Sequence, residues 1–206
     1  MACPGDNMSD SYSLPEPLKT DRPIEECLSK RRSVRFFSED TLTPEQVSTL
    51  LWAAQGITDE KRGFRTAPSA GATYPLEVYL VAPHGIFQYN PQEHSLSLKK
   101  AGDYRPELEK ACLGQPSVGK AYISIILTAV TGRTSSKYGE RAMRYIWLEA
   151  GHSAQNVLLE ATALGLGAVP VGAFNDDAVS KLLELDSFTS NSIPLYVIPV
   201  GVPLKK

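Results

Sequence analysis

RAMRYIWLEAGHSAQNVLLEATALGLGAVPVGAF, residues 141–174, is the segment around which the chain is organised. Ala150, Ala154, Val157, Leu158, Ala161 and Gly165 recur at three- and four-residue steps, which puts them on one face of a helix. Leu148, His152, Gln155, Leu159 and Thr162 make a second, mixed face. A helix about six turns long with apolar or small residues on two sides predicts a central buried element rather than a surface one. Gly165 and Gly167 end it, as glycines past a helix terminus do. The chain then enters Ala168-Val169-Pro170-Val171-Gly172-Ala173-Phe174, too apolar for a solvent-facing loop and too rich in Gly and Pro to be regular. A core helix that delivers such a loop predicts a place where main-chain groups meet a flat ligand.

The bulk composition narrows the function classes. A chain of 206 residues fits one domain with a sizeable core. A net charge of -2 gives no electrostatic reason for a nucleic-acid or anionic-membrane partner. The longest apolar run, Tyr122 to Val130, is broken by Ser124 and Thr128 and falls well short of the roughly 20 residues of a membrane helix. The N-terminus has no basic start followed by an apolar block, so no secretory signal is read there. Cys3, Cys27 and Cys112 are odd in number and widely spaced, which argues against a disulfide framework or a metal site and for a reducing cytoplasm.

Upstream of the helix, residues 1–19 show no periodicity and read as a flexible arm before a single domain over 20–206. Arg31-Arg32-Ser33-Val34-Arg35 gathers guanidinium groups around a hydroxyl, a set suited to a phosphate; read alone, it is equally a solvated basic turn. Thr43-Pro44-Glu45-Gln46 is a helix start with a capping box. Residues 65–77, RTAPSAGATYPLE, pack small residues between two prolines ahead of a strand at Val78–Val81. They form either a loop that lets a ligand approach the backbone or a structural crossover. Ile86–Tyr89 and His94–Leu98 predict a hairpin, Tyr122–Val130 a buried strand, and residues 131–139 a polar loop. His94 reads as structural. Asn175 caps a following helix, and Leu195–Val200 closes the chain as a strand.

Taken together, RRSVRFF, APSAGATYP, EAGHSAQNVLLEATALGLGAVPVGAF and GVPLKK resemble the nitroreductase family of FMN-dependent oxidoreductases, in order and spacing. Within it, SAGATYPLE, EAGH and GIFQYNPQEHSL are most similar to the SagB-type dehydrogenases. Ala72 departs from the family pattern, standing where many members have an Asn that contacts the flavin. The resemblance implies an α+β fold, a mixed and mainly antiparallel sheet flanked by helices, with the long helix at a homodimer interface that holds FMN. It assigns the phosphate to Arg31, Ser33, Arg35 and Lys205, with Arg32 as a neighbouring backbone contact. It assigns one side of the flavin ring to Pro68, Ser69, Ala70 and Gly71, and the N5 edge to Val171, Gly172 and Ala173. No catalytic side chain is implied, because the flavin carries the chemistry. Tyr74, Lys137, Tyr138, Arg141 and Phe174 are candidate substrate contacts, against a structural reading in which Arg141 pairs with Glu140. His152 reads as a core or interface histidine.

These features imply electron transfer from NAD(P)H through FMN to a small acceptor such as a nitroaromatic or quinone. The alternatives are a SagB-type dehydrogenase oxidising peptide thiazolines and oxazolines to azoles, and an FMN-binding module without turnover. A chain of this length reads as a stand-alone homologue. Gly165-Leu166-Gly167 is a helix stop and not a dinucleotide fingerprint, so the choice between NADH and NADPH is open.

Overall fold

A computed structural model describes residues 11–185 and 191–204. In chain order these form β1 (Ser11–Ser13), α1 (Ile24–Lys30), α2 (Pro44–Gln55), β2 (Ile57–Asp59), β3 (Phe64–Arg65), β4 (Leu76–Ala82), β5 (Gly85–Asn90) and β6 (Ser95–Ala101). They continue with α3 (Arg105–Ala111), α4 (Pro116–Lys120), β7 (Ile123–Val130), α5 (Gly132–Tyr138), α6 (Ala142–Ala163), β8 (Gly167–Ala168), α7 (Asp176–Leu183) and β9 (Ser192–Gly201). Strands β1-β6-β5-β4-β7-β9-β8 make one sheet, and β2-β3 a separate ribbon. All neighbours in the sheet are antiparallel, with one isolated parallel bridge between Ser33 and Ala168. This is the expected α+β architecture.

The sheet is covered on both faces. Val78, Leu80, Ile125, Leu127, Ile198 and Val200 point to one side, where Leu50 and Leu51 of α2 and Val157, Leu158 and Ala161 of α6 close over them. Tyr79, Val81, Ile126 and Val197 point to the other, against Leu108, Val118, Val179 and Leu183 of α3, α4 and α7. Strand β7 lies inside the sheet between β4 and β9 and is buried on both faces, which is why it reads as a continuous apolar run. Helix α2 opens with the expected capping box: the Gln46 N–H donates to Thr43 Oγ1 at 3.3 Å, and the Thr43 N–H to Gln46 Oε1 at 2.9 Å.

The structure departs from expectation in three places. From Ser11 onward the arm is tied down: Ser11–Ser13 extend the sheet against Ser95–Ser97. Just beyond, Ser48 Oγ donates to the Pro15 carbonyl and sits 2.7 Å from His94 Nε2, while Tyr89 Oη lies 2.9 Å from His94 Nδ1. His94 is therefore structural, as expected. Residues 131–139 are largely helical, α5, and not a polar loop. Finally, α6 is buried on one face only. Ala150, Ala154, Val157, Leu158 and Ala161 face the core, whereas Trp147 and Leu148 are 63% and 53% exposed and Gly151, His152 and Gln155 are also open. His152 is thus not in the core.

Among the described residues no helix is long and apolar enough to cross a membrane. Lys205, Cys3 and residues 1–10 of the arm lie outside the described residues.

Candidate functional site

The sequence-derived site residues fall into two groups, at opposite ends of α6. The first surrounds its C-terminal end. The Val34 N–H donates to the Ala168 carbonyl at 3.0 Å, and Val34 packs on Gly167 so closely that a Cβ there would come within 2.6 Å of it. On the other side the Leu204 N–H donates to the Phe36 carbonyl at 3.0 Å, and Phe37 bridges Pro203. RRSVR is thereby clipped between the apolar loop and the closing segment of the chain. Arg31 is half-buried; Arg32, Ser33 and Arg35 are exposed. Arg32 donates to the Ser29 and Arg31 carbonyls at 3.1 and 2.7 Å. The side chains of Arg31 and Arg35 make no ion pair or hydrogen bond with any described residue.

In the apolar loop, Val169 and Val171 turn into the core and Val171 bridges Val197, which fixes the loop against β9. Gly172 and Ala173 are exposed, and among the described residues nothing accepts their N–H groups. Phe174 turns inward to pack on the core beside α7.

The second group lies toward the N-terminal half of α6. Pro68, Ser69, Ala70 and Gly71 lead into a tight turn with Gly71 at φ +59, Ala72 at φ +52 and Tyr74 at φ +42. Asn and Gly tolerate the left-handed region at lower cost than Ala does, so Ala72 holds this conformation at a backbone cost. Helix α5 is docked onto this turn. Thr134 Oγ1 meets Thr73 Oγ1 at 2.9 Å, Lys137 Nζ donates to the Gly71 carbonyl at 3.2 Å, and Arg133 Nη1 donates to the Tyr74 carbonyl at 3.1 Å. Arg133 also pairs with Glu77 at 2.5 Å. Lys137 and Tyr138 therefore stand directly over Gly71, with Tyr138 edge-on to Tyr145 at 4.8 Å. Arg141 is exposed, and it forms no ion pair with Glu140. A cavity of about 470 Å³ opens beside the turn, lined by Arg65, Thr73, Tyr74, Glu77, Gln88 and Arg133 among others.

Beneath the turn lie residues that the sequence reading passed over. Arg65 stacks on Tyr74 at 4.7 Å and donates to Gln55 Oε1 at 2.8 Å. Burial pulls its guanidinium below the usual range. Glu149 is 2% exposed, and burial pushes its carboxyl up to about 7, partly offset by the Ser69 hydroxyl and the Arg65 charge. Asn156 Nδ2 donates to the Thr66 carbonyl at 3.2 Å and Ser153 Oγ to the Ala54 carbonyl at 2.8 Å. The signal was the polar row Glu149, Ser153 and Asn156 at four- and three-residue steps along the helix.

Comparison with known proteins agrees with this fold and this set of motifs. The nitroreductase family model matches residues 28–202. A nitroreductase homologue of Methanocaldococcus jannaschii is 42% identical over 200 residues, covering 94% of this chain and 98% of that one. The crystal structure of a nitroreductase homologue of Ralstonia eutropha superposes with a TM-score of 0.85 at 31% identity, covering 98% and 94% of the two chains. The microcin B17-processing protein McbC of Escherichia coli is 26% identical over 76% of this chain, which spans 61% of McbC's length. The protein is thus an α+β oxidoreductase. It belongs to the nitroreductase family.

Proposed function

We propose that the protein holds FMN and moves electrons from NAD(P)H to a small acceptor such as a nitroaromatic or quinone. The observation that carries this reading is a matched set of donors without partners among the described residues: the guanidinium groups of Arg31 and Arg35, the Ser33 hydroxyl, and the N–H groups of Gly172 and Ala173. A phosphate dianion needs charge-assisted bonds to offset its desolvation, and Arg31, Ser33 and Arg35 supply them, with Lys205 as a further candidate. A flat heteroaromatic ring needs small side chains on one face, supplied by Pro68, Ser69, Ala70 and Gly71, and N–H donors at its edge, supplied by Gly172 and Ala173. When bound, FMN supplies hydride and electron transfer itself. The chain's own task is to bind, orient and exclude water.

The same geometry favours a homodimer. From Glu149 to Ala163 helix α6 rises about 20 Å, so the 68–71 turn and the RRSVR cluster stand far apart within one chain. Two copies paired with their α6 helices antiparallel would set the turn of one beside the cluster of the other. Exposed Trp147 and Leu148, with the small Gly151, suit such an interface. A cytoplasmic location follows from the same reading of the sequence.

Steady-state oxidation of NADH and NADPH by the purified protein, with and without menadione or a nitroaromatic, tests the proposal. Acceptor-dependent turnover is expected; a flavin-loaded protein that oxidises neither nucleotide contradicts it.

A second reading, azoline oxidation, draws on the placement of Lys137 and Tyr138 over Gly71 and on the similarity to a microcin-processing protein. Incubation with a thiazoline-containing peptide would then give a product lighter by two hydrogens. The third reading, a module without turnover, requires Tyr74 or Phe174 to cover the ring. Phe174 packs on the core and Tyr74 lies against Arg65, which supports turnover over that reading.

A further inference from the structure

Glu149 is the residue that the flavin reading leaves without a task. It is buried on α6, and its Oε1 has no hydrogen-bond partner among the described residues. Two buried donors in the same cluster, Gln55 Nε2 and Arg65 Nε, also lack one. A buried carboxylate left in this state is costly, and it resolves the cost either by taking a proton or by pairing with a cation. The site offers both routes. Burial pushes Glu149 upward to about 7, while the Ser69 hydroxyl and the Arg65 guanidinium favour the ionised form.

The groups that surround it are themselves held in place. Arg65 is fixed by its bond to Gln55 at the end of α2 and by its stacking on Tyr74. Ser69 is fixed because its hydroxyl accepts the Tyr74 N–H at 2.9 Å. Glu77 of β4 supports the Arg65 charge more strongly than Glu149 does, and Arg133 of α5 opposes it. A proton gained or lost at Glu149 therefore changes the charge beneath residues 68–71 while the scaffold around it stays put.

We propose that Glu149 is a titratable positioning residue of this site, working through Arg65 and Ser69. Protonated, it leaves Glu77 as the carboxylate that offsets the Arg65 charge under the turn. Ionised, it adds a second negative charge there and engages the Ser69 hydroxyl from below. A more negative ligand at residues 68–71 then favours proton uptake at Glu149, and protonation in turn favours that ligand, by linkage. The proposal rests on reading residues 68–71 as the ring-lining turn.

The test uses two measurements on the intact protein. First, carboxyl-carbon NMR of protein labelled at glutamate Cδ is followed against pH, with Glu149→Gln identifying the resonance. A signal that titrates near neutral pH and is missing from the variant is expected. Second, the midpoint potential of bound FMN, which reports affinity for the reduced over the oxidised form, is followed from pH 6 to 8. Wild type should change about fivefold more in that ratio than Glu149→Gln, the effect of a coupling near 1 kcal/mol. Should Glu149→Gln fail to fold, Ser69→Ala keeps both charges and cuts the link to the turn; its potential profile should flatten while Glu149 still titrates near neutrality. Parallel potential profiles, or a Glu149 that titrates with ordinary carboxylates in a flavin-loaded protein, overturn this proposal alone. A protein that binds no flavin overturns the reading beneath it.

Discussion

Lys137 Nζ donates to the Gly71 carbonyl at 3.2 Å, joining α5 to the turn that the flavin reading places against the ring. A Cβ on Gly71 would meet Lys137 Nζ and Tyr138 Oη at 2.5 Å each, so with any larger residue at 71 the ends of these two side chains must swing aside from the turn. The φ of +59 there adds a backbone cost of about 1 kcal/mol for a residue such as Ala.

Gly71→Ala is therefore expected to keep the fold and bound flavin but to lose about tenfold or more in turnover, because Lys137 and Tyr138 must move away. Lys137→Ala should lose turnover in the same direction with unchanged flavin content. Parallel measurement of kcat and of flavin per chain checks both. Full activity in Gly71→Ala would remove Lys137 and Tyr138 from the working site.

Arg35 offers an exposed guanidinium with no partner among the described residues. Arg35→Ala should weaken FMN binding about tenfold or more, the scale of a lost charge-assisted bond. Riboflavin, which lacks the phosphate, should bind wild type and variant alike. Equal FMN affinity in the two proteins would refute the phosphate assignment.

Trp147 and Leu148 are exposed on a helix whose other face is core. Replacing both by Glu places charges where the proposed dimer is dry. Sedimentation should show monomers, and these should lose FMN even though no residue assigned to FMN has changed. A dimer that persists with its flavin would exclude this face as the interface.

Glu149 also makes a prediction for stability. Its carboxyl rises from an ordinary 4.5 to about 7 on folding, mainly by burial. Ionisation is then harder in the folded state, so the unfolded chain releases this proton first. The contribution of Glu149 to stability is greatest below about 4.5, falls as pH rises toward 7, and levels off above that. The fall is on the order of 2 kcal/mol after allowance for partial solvation. Denaturant unfolding of wild type and Glu149→Gln at pH 5 and 8 measures it: the difference should shift in favour of the variant at pH 8. A pH-independent difference would contradict the burial argument.

Much of this was legible in the sequence because its causes are local. The Thr43–Gln46 capping box, the apolar run of β7 and the Asn175 cap are each written within a few residues, and each stands as read. Helix α5 was not legible. Gly132, Thr134, Ser135 and Ser136 are weak helix formers, and the ties seen at this helix run to Gly71, Thr73, Tyr74 and Glu77, far back in the chain. The anchoring of Ser11–Ser13 was hidden for the same reason, since its partner is a distant edge strand. Glu149 stood in view within EAGH, but its burial becomes apparent only when Arg65 and Ser69 are folded against it. Of the candidate site, the RRSVR cluster, the 68–71 turn and the apolar loop were marked by motif; the polar floor beneath the turn was not.

The most direct test of the central claim is the visible absorption spectrum of the purified protein, with the released chromophore identified by chromatography. A flavin spectrum and FMN at about one per chain are expected. A colourless protein that also fails to take up added FMN would contradict it, and the donors of Arg31, Ser33, Arg35, Gly172 and Ala173 would then need a different ligand.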